Sequence, residues 1–493
     1  MSSYKPFTPT KRAPALLTVG VLLTSFLILN SIAPTQALER PNFSVLSSEN
    51  ITIDDSTSVL KVYLNTFRPD TNVSFRLQSN SLTTVTVVSG NDTVAIPSNS
   101  NVHFSIKSGP ILKKDQILKP VKEFRNGSGT LLIQIFPAPP DFPLITLNGD
   151  TSLISAHEIL STPHLNSGSY AIDSVGSHIK YFFKSPNDLV GFRKLNDGEA
   201  KAGASSAPKY AFLEQKDFGV TATFPGTWIL LDKNFQRVQR INDVQTKFGL
   251  ASPEGHGMTI SGLGNPIVIT NITRTVDSSW LAKPYGMPIL DCDIAEISGG
   301  KAINEFSFWD WAVSNKALSK PLLDAMPPVH DPQDPNSPID ICHANSLQYF
   351  KPSNVFLISV RSPSILMILS ANLKKVQTII PTDGSFQHFA RFISPTQITA
   401  LGNFPDAKVS QFLDFKFIAK KWILKKIPFP VHARYCGDAE YVDPTHIWLG
   451  GGCDAFTPGT LGAIFTVRNG TLTQLGAINM IGFTFSYRAD LLI

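Results

Sequence analysis

From about Pro41 to Pro143 the chain runs in short alternations of apolar and polar residues: SVLKVYLNTF, NVSFRLQS, LTTVTVVSG, DTVAIPS, VHFSIKSG and GTLLIQIF, divided by Asn, Asp, Gly and Pro. A period of two places one face of each run toward a core, and strands of this length at this spacing predict an all-β sandwich over residues 38–143. The cluster PAPPDFP then interrupts, and prolines that cannot continue a sheet mark a domain boundary.

Beyond the boundary the units lengthen. Each places a chain-reversing turn between two apolar strands, and three of them begin with histidine: His256-GMTISGLGNPIVIT, His343-ANSLQYFKPSNVFLIS and His388-FARFISPTQITALGN. A fourth, Gly437-DAEYVDPTHIWLGGG, has the same shape without the histidine. Successive units start 87, 45 and 49 residues apart, so the first gap holds two repeats and the others one each. Repeats of this length with several strands apiece predict a β-propeller over residues 144–493, with some six or seven units. A weak amphipathic helix is expected near Phe306 to Leu323, and the proline-rich run Pro321 to Pro338 reads as an inserted surface loop.

Composition agrees with an all-β chain: few charges, many aromatics, and abundant Ser, Thr, Asn and Pro. The formal charge of +5 includes Lys5, Lys11 and Arg12, which precede an uncharged stretch centred on ALLTVGVLLTSFLIL and ending in APTQA. That order is the n-region, h-region and small-residue end of a secretory signal peptide, residues 1–37, with an uncleaved anchor as the rival. Either way the remainder lies outside the cytosol, secreted or periplasmic. Without the leader the balance is only +2, which offers no electrostatic case for nucleic acid. Four cysteines fit an oxidising compartment, with Cys436–Cys453 across a hairpin as one expected bridge and Cys292–Cys342 as the other.

A propeller brings equivalent strands of different blades to one central channel, so three histidines at one repeat position should converge. Each alone would be an ordinary packing residue; recurrence in register points to a site. Within these units DICHANS, ISVR, SFQH and ALGN resemble the arylsulfotransferase family, whose units read H-x-NS, LxSxR, QH and DN in that order. The resemblance spans residues 135–493. It implies a six-bladed β-propeller preceded by a small N-terminal β-sandwich, without cofactor or metal. It also implies transfer of a sulfuryl group from an aryl sulfate donor to a phenolic acceptor without a nucleotide sulfate. By position, His388 is the transiently sulfated nucleophile, with His343, Arg361 and His256 around it, and Phe386 and Asn403 are expected against substrate. Two departures stand out: Phe389 follows the QH pair, and Gly402 occupies the acidic position before Asn403.

The chemistry suits these residue types. Sulfuryl transfer passes through a loose anionic group whose charge needs fixed donors, and a guanidinium presents a planar fork to two of its oxygens. A neutral imidazole is a competent nucleophile, and a nearby guanidinium favours that neutral form. The departing phenolate needs a proton, for which His256 and His343 are both suited. Asp340 could orient an imidazole or cap its turn. Two other classes stay open on the residues alone: an inactive propeller binding module, and a metal- or quinone-dependent enzyme built on three histidines. His157-Glu158 is no metalloprotease motif, because Ser161 stands where a second histidine is required. The N-terminal segment shows no site of its own, and a homodimer through it is an arrangement the sequence leaves open.

Overall fold

The computed structural model describes residues 145–493 except 166–167, 177, 196–207, 216–222, 234, 236, 326–335, 405–407, 434, 453–458, 481–482 and 493; of residues 41–144 it describes the backbone of nine strands. The chain divides into units Met1–Arg40 and Pro41–Ile493, and the leader segment lies outside the described residues.

The second unit is all-β, and five of its sheets are the blades of a β-propeller. The first blade is Leu189–Lys194, Tyr210–Gln215, Gly226–Leu231 and Arg237–Ile241; the second is Pro253–Ile260, Pro266–Arg274, Ile289–Ser298 and Lys301–Ser307. The third is Ala344–Phe350, Val355–Val360, Ile365–Ser370 and Val376–Pro381; the fourth is His388–Ser394, Gln397–Gly402, Gln411–Ile418 and Lys421–Pro428. The fifth is Asp438–Asp443, His446–Gly450, Thr460–Arg468 and Thr471–Met480, extended at its outer edge by Ile145–Gly149. Within each blade consecutive strands pair antiparallel, because short turns join them.

The C-terminal strand Phe483–Leu492 lies beside Glu158–Leu165 and heads a further meander with Gly168–Val175 and His178–Ser185. That meander continues, through one parallel pairing of Tyr181 with Ile53, into six strands of the N-terminal region. The remaining N-terminal strands, Phe43–Leu46, Asn72–Ser79 and Asn101–Lys107, form a separate three-stranded sheet.

Central strands are buried on both faces, which is why their sequences are continuous apolar runs rather than alternations: Val355–Val360 and Gly226–Leu231 are buried throughout. Ile358 packs toward the second blade and Leu357 toward the fourth, so each blade face joins a different inter-blade core. Glycine permits the closest approaches. A Cβ at Gly450 would meet the Ala489 carbonyl oxygen at 2.0 Å, and one at Gly451 the Arg488 backbone at 2.6 Å, so glycines let the C-terminal strand lie against the fifth blade. Trp448 is fully buried beneath that junction and donates its indole N–H to the same carbonyl at 2.7 Å.

The helix expected near Phe306 to Leu323 is present as two, Phe308–Ser314 and Lys316–Ala325. The second begins the stretch read as a loop. It holds Pro321 near its middle, and its N-terminal half anchors to the first helix through a 2.6 Å bond from the Ser319 hydroxyl to the Ala312 carbonyl. Cys292 and Cys342 are bonded to each other; Cys436 is also disulfide-bonded, and its expected partner Cys453 lies outside the described residues. Disulfides are consistent with an extracytoplasmic location. Among the described residues no helix is long and apolar enough to cross a membrane.

Candidate active site

The leading strands of the blades pack side by side; His343 immediately precedes that of the third blade, His388 opens that of the fourth, and His256 lies in the first half of that of the second. His256 and His343 meet edge to face with ring centroids 4.9 Å apart; Tyr487, from the C-terminal strand, lies 5.0 Å from His256 and 6.3 Å from His388. Histidines far apart in sequence, from the second and fourth blades, thus flank one aromatic ring, and the third packs on His256. All three histidines are buried, as are Tyr487 and Phe224, whose ring packs 5.0 Å from His256.

Strand register explains how a separation of eighteen residues still leaves His343 and Arg361 together. Ala344 pairs with Val360, so His343 and Arg361 occupy the open end of one hairpin, where the Arg361 N–H donates to the His343 carbonyl at 3.2 Å. The same device serves the fourth blade: His388 pairs with Leu401, and Asn403 emerges beside it. The backbone is strained at this end. His343, Phe386 and Phe389 have φ of 46°, 47° and 54°, a left-handed conformation that costs a non-glycine residue of order 1 kcal/mol.

The remaining motif residues tie the third and fourth blades together. The Gln387 side chain donates to the Ser359 hydroxyl (3.1 Å) and to the carbonyls of Val360 (3.1 Å) and Ile365 (2.9 Å). In return Asn345 donates to the Gln387 carbonyl at 2.7 Å, and the Ser346 hydroxyl accepts from the Ala390 N–H at 3.0 Å. The QH, H-x-NS and LxSxR residues that are not catalytic candidates therefore fix the frame in which the candidates face one another.

Each imidazole has its Nδ1 held from behind, but by different chemistry. His256 Nδ1 bonds Glu254, and His343 Nδ1 bonds Asp340 at 2.5 Å. His388 Nδ1 bonds the neutral Asn403 amide oxygen at 2.7 Å and the Phe386 carbonyl at 3.1 Å. Asn403 donates its amide N–H groups to the carbonyls of Ala433 and Cys436, which turns its oxygen toward His388. His388 is therefore protonated on Nδ1, and its Nε2 carries the lone pair. That Nε2 is buried and has no hydrogen-bond partner among the described residues. Burial, then the charges of Arg361 and Arg488, hold His388 well below the ordinary histidine range, so it is neutral. Burial and Arg361 push His343 down to about 4 against the pull of Asp340. Burial would raise Asp340, but His343 and Arg361 outweigh it and keep the carboxyl below its usual value.

Of the residues expected here, His256, His343, His388 and Arg361 come together. Asn403 is fully buried, with both ends of its amide engaged behind His388. Phe386 is half-buried at the rim, its carbonyl on His388. Asp340 both orients His343 and caps its turn, accepting from the Cys342 N–H at 3.3 Å. The repeat pattern does not mark Glu254, Tyr487 or Arg488 as site residues. Glu254, two residues before its histidine as Asp340 is three before its own, was the available signal. Arg488 bonds the carbonyls of His256 and Asn345 and lies 4.9 Å from the Tyr487 ring. Burial, opposed by Arg488, raises the Tyr487 hydroxyl to about 12.

No group of three or more His, Cys, Asp or Glu side chains among the described residues is arranged to hold a metal ion. The three histidines bond outward to carboxylates and an amide, and Arg361 stands among them. A separate cavity of about 310 Å³ opens at the far end of the leading strands, lined by Arg193, Arg391, Glu440 and Asp490 among others. Phe389 lines that cavity as well, with Arg391 4.1 Å and Arg488 5.2 Å from its ring.

No protein-family model matches the sequence, and neither does any curated protein. Among solved structures, a protein of unknown function from Bacteroides caccae aligns over 68% of this chain and 98% of its own, at 9% identity and a TM-score of 0.40. A putative 6-phosphogluconolactonase from Bacteroides fragilis aligns over 70% and 100%, at 11% identity and a TM-score of 0.37. The C-terminal WD40 domain of Sif2 aligns over 76% and 88%, at 9% identity and a TM-score of 0.30. Likenesses this remote carry nothing about chemistry.

Proposed function

We propose that this chain is an exported, nucleotide-independent aryl-sulfate sulfotransferase in which His388 carries the sulfuryl group between two phenols. The observation that carries the reading is the state of His388: neutral, with its Nδ1 proton fixed by Asn403 and its Nε2 lone pair unengaged beside a guanidinium. Nε2 attacks the sulfur of the donor, an N–S bond forms as the S–O bond breaks, and Arg361 holds the sulfuryl oxygens. The phenolate takes a proton from His256, whose Nδ1 is held by Glu254, while His343, pushed down to about 4, stays neutral in the working range. In the second half-reaction the acceptor phenol returns a proton to His256 as its oxygen attacks sulfur, restoring both histidines.

The finer architecture belongs to the same reading. The meander closed by Phe483–Leu492 is the sixth blade, since joining the two ends of a propeller in one sheet removes an exposed edge, and the two N-terminal sheets form the sandwich. Residues 1–37 are the leader that exports it.

Incubation with a chromogenic aryl sulfate and excess phenol tests the proposal. Phenol release with ping-pong kinetics and label from the donor on His388 is expected, and His388→Ala should fold normally and lose activity by at least about 10³-fold. Absence of phenol release, or a ternary-complex pattern with no label on His388, overturns it.

A further inference from the structure

Because each blade is an antiparallel meander and the histidines lie where the leading strands begin, the turns joining first to second and third to fourth strands all lie at the opposite end. We infer that this opposite face, centred on the fourth-blade hairpin Gln411–Pro428, docks on an anionic lipid surface. Phe417, Ile418 and Ile423 are 42%, 55% and 50% exposed at the hairpin tip, and Ile393, from the adjoining turn, is 46% exposed. The two turns are joined directly, since the Phe417 N–H donates to the Thr396 carbonyl at 2.8 Å. Beneath them Trp422 packs 5.2 Å from Phe417 and 6.5 Å from Phe392, so the apolar tip stands on a rigid base.

Charge selects the partner. Lys420, Lys421 and Lys425 are exposed on the hairpin and make no ion pair among the described residues, and Lys374 and Lys375 extend the basic surface in the third-to-fourth turn of the preceding blade. The acids nearby are neutralised or withdrawn: Asp414 is buried, Asp383 pairs with Lys426 at 3.1 Å, and Asp443 bonds His446 at 2.7 Å. Apolar side chains protruding among unpaired lysines are the two signals that together hold a protein at a lipid interface, neither being sufficient alone. An acidic protein partner would use the lysines but leave the isoleucines without a role. The tip is also costly to form, because Ala419 and Lys420 both adopt positive φ (49° and 65°) where a two-residue hairpin would normally use Asn-Gly.

Co-sedimentation of the full chain with vesicles tests the inference, comparing phosphatidylcholine alone with a mixture containing phosphatidylglycerol. The readout is the difference between wild type and variant, so any contribution of the apolar leader cancels. Binding that requires phosphatidylglycerol and weakens at high salt is expected. Lys420→Gln with Lys421→Gln should lower the partition coefficient about thirtyfold, at about fivefold per lysine. Ile418→Ser with Ile423→Ser, both already solvent-exposed and so compatible with folding, should lower it about tenfold or more. Equal binding to both vesicle types, or variants that bind as wild type does, overturns the inference; His388→Ala should bind unchanged, and a loss there would overturn it too.

Discussion

Replacing Glu254 by Gln should separate the acid from the other histidines. The carboxylate is buried and accepts three bonds: from the Phe224 N–H at 3.0 Å, from the His256 N–H at 2.7 Å, and from His256 Nδ1. A glutamine has one oxygen, so whichever way the amide turns, its NH₂ faces a backbone N–H. One buried bond becomes a donor–donor contact, costing about 1–3 kcal/mol of stability, and the carboxylate that holds His256 Nδ1 is lost. General acid catalysis contributes about 10²–10⁴-fold, and that factor should disappear from kcat/KM for sulfate esters of weakly acidic phenols. Esters of acidic phenols such as 4-nitrophenol, whose phenolates leave without a proton, should lose less than about tenfold. Asp340→Asn is the control, because His343 is neutral and its carboxylate only positions it. The assay is kcat/KM across a series of leaving groups for both variants. Equal losses for good and poor leaving groups in Glu254→Gln, or a steeper dependence in Asp340→Asn, would refute the assignment of His256.

Two further outcomes follow from residues around the site. The Cys292–Cys342 bridge closes a loop spanning 50 residues and ends one residue before the left-handed turn of His343, so Cys292→Ala with Cys342→Ala should cost about 4 kcal/mol in chemical denaturation and reduce activity with it; a loss below about 1 kcal/mol would show that the bridge does not constrain the unfolded chain. Burial and Asp490 raise Glu440 from 4.5 to about 8, so the folded state binds its proton more tightly than the unfolded one. Stability from this group is therefore present below about pH 4.5 and lost as pH rises through about 8, at no more than about 1.4 kcal/mol per unit. Glu440→Gln should flatten that fall and be the more stable protein above pH 8; parallel pH profiles would refute it.

The propeller was legible because its repeats carry a signal in register: a histidine, an apolar strand, a turn and a second apolar strand recur, and packing such units face to face buries both sides of their strands. The convergence of His256, His343 and His388 followed from that repetition alone. What the repeats could not show is how each ring is held. Asn403 was placed against substrate because its motif lies beside the nucleophile, whereas its role depends on two carbonyls, of Ala433 and Cys436, some thirty residues away. Tyr487 and Arg488 come from the strand that returns to close the meander, where no sequence neighbour repeats, so nothing marked them among the other aromatics and cations.

The two departures from the family's pattern acquire physical reasons in the same way. An acid before Asn403 would displace neighbouring side chains: a Cβ at Gly402 would meet the Phe404 ring at 2.7 Å and Leu413 at 3.2 Å. The space an acidic side chain would need is filled by apolar groups of the fourth blade, and Asn403 is oriented by carbonyls instead. Behind Nδ1 stands Asn403, whose neutral amide fixes the His388 tautomer without favouring a second proton. Phe389, in place of a small or acidic residue, packs against Arg391 and Arg488 and faces the cavity at the far end of the leading strands. An acid there would lie against Arg488, one of the two guanidiniums that, after burial, hold His388 below the ordinary histidine range, so the aromatic follower leaves that positive charge unopposed.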